Sequence, residues 1–341
     1  MSRRLIRGSI PTIAAARPAA RLSVTRAQRF QNGWPARSFS TGRPWRQEGD
    51  PRIRPLGKQI SDDYATIRDS YETPKYPIVL AHGLLGFAEF QLASYLPAVR
   101  YWHGIKEALT AQGATVITPS VPPSSSIADR AAALHAALAA CDPKPEAVNI
   151  IAHSMGGLDA RYMLAHMSPA PVRVASLVTV ATPHRGSAFA DYLLEEGGEA
   201  PIHLPRLYGA IERAGFGTAA FAQLTRRYMQ DEFNPATRDS PDVRYFSYGA
   251  AFVETPPLLS PFRYPHGVLT AAEGPNDGLV SVESSRWGTY KGTLLGVSHL
   301  DLINWSNRVK WTMREWMGMK RNFNAIAFYL DMADMLAKED L

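Results

Sequence analysis

The chain has 341 residues, 45% of them hydrophobic and 20% charged, enough to bury the core of one large α/β domain or two small ones. Its formal charge of +6 suggests a nucleic-acid partner, but residues 1–46 carry ten arginines, no lysine and no acid, leaving 27 basic against 31 acidic side chains elsewhere, so none is expected. No apolar run approaches the ~18 residues needed to span a bilayer, and the single cysteine, Cys141, excludes an internal disulfide and fits a reducing compartment.

Residues 1–46 are rich in Arg, Ser and Ala, with arginines placed between Leu5, Ile6, Ile10, Ile13, Leu22 and Val24. That is the composition of an amphipathic mitochondrial presequence, with ARSFST at Ala36–Thr41 resembling a processing site, so a mitochondrial location is expected. Residues 47–75 are polar and punctuated by proline, and read as a linker into a domain at 76–341. YPIVLAH (Tyr76–His82) reads as a buried strand, and the stretch ending at Gly113 as a helix with a terminal glycine. TVITPSVPP is the next strand, Ile127–Ala140 an Ala/Leu-rich helix, AVNIIAH a strand, Met155–Met167 a helix and VRVASLVTVAT a strand. This alternation predicts parallel βαβ units in a mostly parallel, doubly wound sheet. Residues 186–240 break the rhythm with mixed helical stretches and read as an insertion over the sheet. VRYFSYGAAF and GLVSVESS return to strand character, and Arg308–Leu336 is a helical tail.

Reactive groups in such sheets gather at the carboxyl ends of the strands. Three of the expected strands end in HGLLG, HSMGG and TPHRGS. The middle one has the layout small-x-Ser-x-Gly at a strand-to-helix turn, with Ala152 where glycine is usual. Ser154 would sit on the tight turn with its hydroxyl exposed. A serine nucleophile needs a base, and the base needs an acid to orient it. The chain order that accompanies this turn is Ser, then Asp or Glu, then His. GPNDGLVSV places Asp277 in a turn, and His299 is the one histidine beyond it. His166 lies along the helix from Ser154, and His184 is the better rival, although pairing it with Asp277 would reverse the order. The tetrahedral intermediate also requires backbone N–H donors, expected from Met155 and from Leu84 in the loop after the first strand.

PIVLAHGLLGF, YWHGIKEALTAQGATV, VNIIAHSMGGLDARY, VTVATPHRGSAFADYL, NDGLVSVESSRWG and HLDLIN resemble, in the same order, the true lipases of the Pseudomonas and Burkholderia type. The resemblance runs from about Tyr76 to Asn304. With the leader, the chain is similar to the fungal mitochondrial lipases of that superfamily. The resemblance implies an α/β-hydrolase fold, hydrolysis of carboxylic esters of acylglycerols, and a helical lid over the site. It carries the nucleophile onto Ser154, the acid onto Asp277, the base onto His299 and the oxyanion donors onto Leu84 and Met155. The secreted relatives have a disulfide that this chain cannot form. They also hold a structural Ca²⁺ near the base, with one carboxylate two residues after it, where Asp301 stands. Val243–Ala272 contains no aspartate to supply the second carboxylate, so no cofactor is expected and Asp301 reads as a brace for the His299 loop.

An opening lid would present Phe216, Phe221 and Leu224 to a lipid interface; a fixed cap over a pocket for a soluble ester is the other reading. The tail, with Trp311 and Trp316 among Lys310, Arg314, Lys320 and Arg321, either lies in a membrane interface or packs on the sheet, and packing is favoured. The same apparatus also serves acyl transfer or phospholipid cleavage, and a silent site would make the chain a hydrolase-like binding protein.

Overall fold

The apolar runs of the sequence become strands of one sheet in a computed structural model that describes residues 56–84, 89–90, 99–167, 169–194, 219–258, 260–305 and 323–341. The presequence expected at 1–46, the lid residues 195–218 and the tail residues 306–322 lie outside the described residues. In chain order the strands are β1 (Gln59–Ile60), β2 (Ile78–Ala81), β3 (Glu89–Phe90), β4 (Val99–Arg100), β5 (Val116–Ile117), β6 (Ala147–His153), β7 (Arg173–Val180), β8 (Arg244–Ala251) and β9 (Thr289–Leu295). β3 and β4 form a separate antiparallel pair; the other seven form an all-parallel sheet in the order β1-β9-β8-β7-β6-β2-β5.

The alternation of side chains along a strand divides the core into two. Ile78, Leu80 and Ile151 face α1 (Ile105–Ala111) and the C-terminal helix Ala325–Lys338. Val79, Ala81, Val148, Ile150 and Ala152 face the other layer, which holds α2 (Ile127–Ala139) and α3 (Gly156–His166). Every residue of β6 is buried, as expected for a parallel strand covered on both faces. Ser126 starts α2 by accepting the Asp129 N–H, which satisfies one of the free donors of the first turn.

From β2 the chain runs outward to β5, then returns to the far side of β2 and builds outward again through β6, β7 and β8. Direction therefore reverses between β2 and β6, and their carboxyl ends open a crevice there. The loop at His82–Leu84 and the turn at Ser154 flank it.

Two expectations need correction. Residues 47–75 read as a linker, yet from Leu56 onward they belong to the domain. Gln59 and Ile60 pair with Thr293 and Leu294, Leu56 and Ile60 are buried, and Arg68 bridges Asp331 and Asp334 of the C-terminal helix. The polar composition reflects side chains committed to these surface bonds rather than detachment. GLVSVESS, read as a strand from its alternation, is a turn followed by a short helix, Val282–Ser285, which Ser281 caps by accepting the Ser284 N–H at 3.1 Å. The strand in this region is β9, whose TYKGTLL mixes charge, glycine and apolar residues and shows no clean alternation. The packing reading of the tail holds for Ala325–Lys338, which buries Phe328, Tyr329, Leu330, Met332 and Leu336.

Asp334 anchors that helix. It accepts from Glu72 N and Arg68 Nη2 at 2.9 Å and from Lys338 Nζ at 2.8 Å. Burial alone would raise its carboxyl pKa; the three donors outweigh burial and lower it from 3.8 to about 2. A depressed carboxylate contributes stability above its unfolded pKa and loses it as pH falls through the folded one. Asp334→Asn should lower the unfolding free energy in urea by about 2 kcal/mol at pH 7. The gap to the parent chain should close between about pH 4 and pH 2, and a pH-independent gap would contradict this account.

Candidate active site

Ser154 follows β6 directly and has φ 56°, a left-handed conformation that costs a residue with a Cβ roughly 1–2 kcal/mol. Its neighbours hold it there. Its N–H donates to Val180 O at 2.9 Å, and its carbonyl accepts from Thr182 Oγ1 at 2.7 Å and Gly157 N at 3.1 Å. The turn leads straight into α3, which approaches β2 so closely that a Cβ on Gly156 would lie 2.6 Å from Ala81 O and one on Gly157 2.3 Å from Thr182 Oγ1. Both glycines are therefore steric requirements.

Asp277 and His299, 22 residues apart in sequence, meet at the far side of this turn. Asp277 is fully buried. Its Oδ1 accepts from Leu279 N at 3.0 Å and Val280 N at 2.8 Å, which fixes the carboxylate and leaves Oδ2 facing His299 Nδ1 at 2.7 Å. The backbones are tied as well, His299 N donating to Asp277 O at 3.0 Å. With Nδ1–H on the carboxylate, Nε2 is the lone-pair nitrogen left to act as a base. Ser154 and His299 line the same cavity, of about 370 Å³.

The oxyanion candidates flank Ser154. Met155 is buried at the start of α3, and Leu84 lines the cavity. Between them lies an arrangement that sequence reasoning missed. Tyr101 OH accepts from Gly83 N at 3.0 Å and is hydrogen-bonded to His153 Nδ1 at 2.7 Å. Burial, reinforced by the nearby His299, pushes His153 well below the usual histidine range, so the ring stays neutral. It stands 4.5 Å from the His299 ring, centroid to centroid.

Also missed was a buried ion pair. Arg130, with no exposure, donates from Nε to Asp159 Oδ2 at 2.9 Å, from Nη1 to Pro122 O at 2.7 Å and from Nη2 to His82 O at 2.8 Å. It thus joins α2, α3 and the loop before Leu84. Burial raises the Asp159 carboxyl to about 6 against the attraction of Arg130. The signal was available: Arg130 stands on the stripe Ile127, Ala131, Leu134 and Leu138, where a surface residue has no place.

The rival histidines have other partners. His184 Nε2 meets Thr179 Oγ1 at 3.0 Å, Nδ1 meets Arg161 Nη1 at 3.4 Å, and its ring stacks on Trp287. His166 Nε2 pairs with Thr237 Oγ1 at 3.2 Å. Asp301 turns Oδ2 onto Ser298 N at 3.0 Å and Ser298 Oγ at 2.7 Å. These bonds brace the turn that carries His299, and no three His, Cys, Asp or Glu side chains converge among the described residues.

Leu193, Phe221, Leu224, Val280, Ile303 and Trp305 make the cavity wall apolar. Phe221 and Leu224 line it as part of the expected lid, whereas Phe216 lies outside the described residues. The start of that insertion is fastened to its middle: Ser187 N donates to Leu224 O and Arg226 N to Asp191 Oδ1, both at 2.9 Å. Leu194 and Trp305 are 37% and 44% exposed.

Residues 76–248 match the profile of the alpha/beta hydrolase fold. The chain is 36% identical over 325 residues to Triacylglycerol lipase 2 of Saccharomyces cerevisiae, covering 81% of this chain and 96% of that one. To a triacylglycerol lipase of Pseudomonas fragi it is 29% identical, covering 80% and 99%. A solved Bacillus licheniformis lipase superposes with a TM-score of 0.54 at 22% identity, covering 74% and 96%, a likeness of fold.

Removing one partner of the buried pair should expose its cost. Arg130→Met is expected to destabilise the protein by about 3–5 kcal/mol in urea, because it strands the Asp159 charge. Adding Asp159→Leu should recover most of that loss. A single variant within about 1 kcal/mol of the parent would refute the assignment.

Proposed function

This chain belongs to the alpha/beta hydrolase fold family and, within it, to the lipases of Pseudomonas and Burkholderia type, which makes it a carboxylic ester hydrolase; we propose that it cleaves acylglycerols with Ser154 as nucleophile. His299 Nε2 takes the hydroxyl proton as Ser154 Oγ attacks the ester carbonyl. The carbonyl electrons move onto oxygen, and the N–H groups of Met155 and Leu84 receive the developing charge. Collapse of the tetrahedral intermediate expels the alcohol, which takes the proton from His299. Water, deprotonated by the same imidazole, then attacks the acyl-serine, and collapse of this second intermediate breaks the bond to Ser154 Oγ, which takes the proton back from His299 as the fatty acid leaves. Asp277 orients the ring and stabilises its protonated form. No metal or organic group takes part in these steps.

The observation that carries this reading is a buried carboxylate–imidazole pair at 2.7 Å opening on the same apolar cavity as a left-handed serine. The apolar wall favours an acyl chain, and the exposed Leu194 and Trp305 beside it suit contact with a lipid surface. Among the described residues no helix is long and apolar enough to cross a membrane. The ten arginines and missing acids of residues 1–46 support a mitochondrial presequence.

The test is ester hydrolysis by protein lacking residues 1–46, on emulsified triacylglycerol and on soluble esters of graded chain length. Ser154→Ala should lower kcat by at least about 10⁴-fold, and Asp277→Asn by about 10⁴-fold. An alkyl fluorophosphonate should label Ser154. Retained activity in Ser154→Ala, or labelling elsewhere, refutes the mechanism. Residues 1–46 fused to a fluorescent reporter should carry it into mitochondria; a cytosolic signal would reject the presequence.

A further inference from the structure

In a trans peptide unit the C=O and N–H groups point in opposite directions. Fixing the carbonyl of one residue therefore aims the N–H of the next. The unit that carries the Met155 N–H has its oxygen on Ser154, and that oxygen accepts from Thr182 Oγ1 at 2.7 Å. The unit that carries the Leu84 N–H has its oxygen on Gly83, which lies 3.0 Å from His82 Nδ1. The tautomer of His82 follows from its other nitrogen. Val121 N donates to Nε2 at 3.1 Å, and burial pulls the ring down to about 4, so its one proton sits on Nδ1 and points at Gly83 O. Both side chains are buried, Thr182 at 0% and His82 at 1% exposure.

The two units also lie side by side. A Cβ on Gly83 would stand 2.8 Å from Ser154 Cβ. Each candidate oxyanion donor thus has a side-chain proton behind it, on the carbonyl of its own peptide unit, supplied from outside the cavity. A proton on the carbonyl further polarises the unit and strengthens its N–H as a donor.

We propose that Thr182 and His82 are positioning residues that aim the two oxyanion amides, Thr182 that of Met155 and His82 that of Leu84. Neither touches the reacting atoms. The inference rests on the oxyanion assignment made above and extends it to the groups that hold those amides in place. A preorganised donor stabilises the transition state because nothing reorients as charge develops. Losing the proton behind it loosens the unit, for Met155 leaving only Gly157 N on the Ser154 carbonyl, and lowers kcat, while substrate binding in the apolar cavity is untouched.

Four single variants test this. Thr182→Val removes the hydroxyl at nearly constant shape, and Thr182→Ser keeps it. His82→Gln retains an acceptor at the Nε2 position for Val121 N but loses the Nδ1 donor. His82→Asn retains an amide donor at the Nδ1 position. Thr182→Val and His82→Gln should each lower kcat by about tenfold or more with KM within about twofold, and weaken a boronic-acid transition-state analogue by the same factor. Thr182→Ser and His82→Asn should stay within about threefold of the parent on both measures.

A merely structural role would make kcat follow the thermal midpoint across the four. Parental kcat and boronate affinity in folded Thr182→Val and His82→Gln overturn the proposal. So does a tenfold kcat loss in a folded Thr182→Ser or His82→Asn, a result that remains decisive where the other two variants do not fold. Ser154→Ala separates the two levels of the argument. If it stays active, the oxyanion assignment and this inference both fall; if it is inactive while Thr182→Val and His82→Gln keep parental kcat, only this inference falls.

Discussion

One backbone angle governs the architecture of the site. Ser154 stands at φ 56°, where a side chain is unwelcome, and it stays there because its neighbours hold its peptide groups and the turn that follows. β7 takes its N–H, Thr182, two residues beyond β7, supplies a hydroxyl to its carbonyl, and β2 closes against the first turn of α3. Strain of this kind persists when the surroundings over-determine it. The glycines at 156 and 157 follow from that approach, since a Cβ at either would collide with backbone or with Thr182. So does the crevice, because the strands flanking Ser154 are those between which the chain reverses direction.

The charges around the turn divide by whether their partners survive burial. Asp277 has its carboxylate filled by two backbone amides and an imidazole, and so keeps its geometry in an apolar setting. Arg130 reaches Asp159 and two carbonyls, which turns a costly buried cation into a tie between two helices and the loop before Leu84. His82 and His153 are driven by burial toward the neutral form. A neutral imidazole offers one donor and one acceptor in fixed positions, and in His82 the Val121 N–H on Nε2 fixes the proton on Nδ1. Around an apolar cavity, these interactions act with little competition from water.

Legibility in the sequence followed locality. AVNIIAH became β6 at the expected residues, and Ile127–Ala140 became α2 one residue shorter, because each pattern reports burial of its own element. The turn at Ser154 was readable from small residues at fixed spacing. Asp277 and His299 were picked out by chain order, and they meet at 2.7 Å. The Tyr101–His153 bond spans 52 residues and the Arg130–Asp159 pair 29; no local pattern announces either, although an arginine on an apolar helix stripe marks the second. VSVESS misled because alternation is shared by a strand and by a capped turn with one buried side. Leu56–Lys75 misled because polarity was read as solvation, when Arg68 is bound to two aspartates of the C-terminal helix.

The central claim, that a left-handed serine presents its hydroxyl between an imidazole and two inward-facing amides, is tested most directly by a crystal structure of the protein inhibited with an alkyl phosphonate. The account predicts phosphorus bonded to Ser154 Oγ, with its terminal oxygen about 2.7–3.1 Å from both Leu84 N and Met155 N, and Ser154 still at positive φ. Phosphorus on another side chain, or an oxygen turned toward solvent away from both amides, would contradict it.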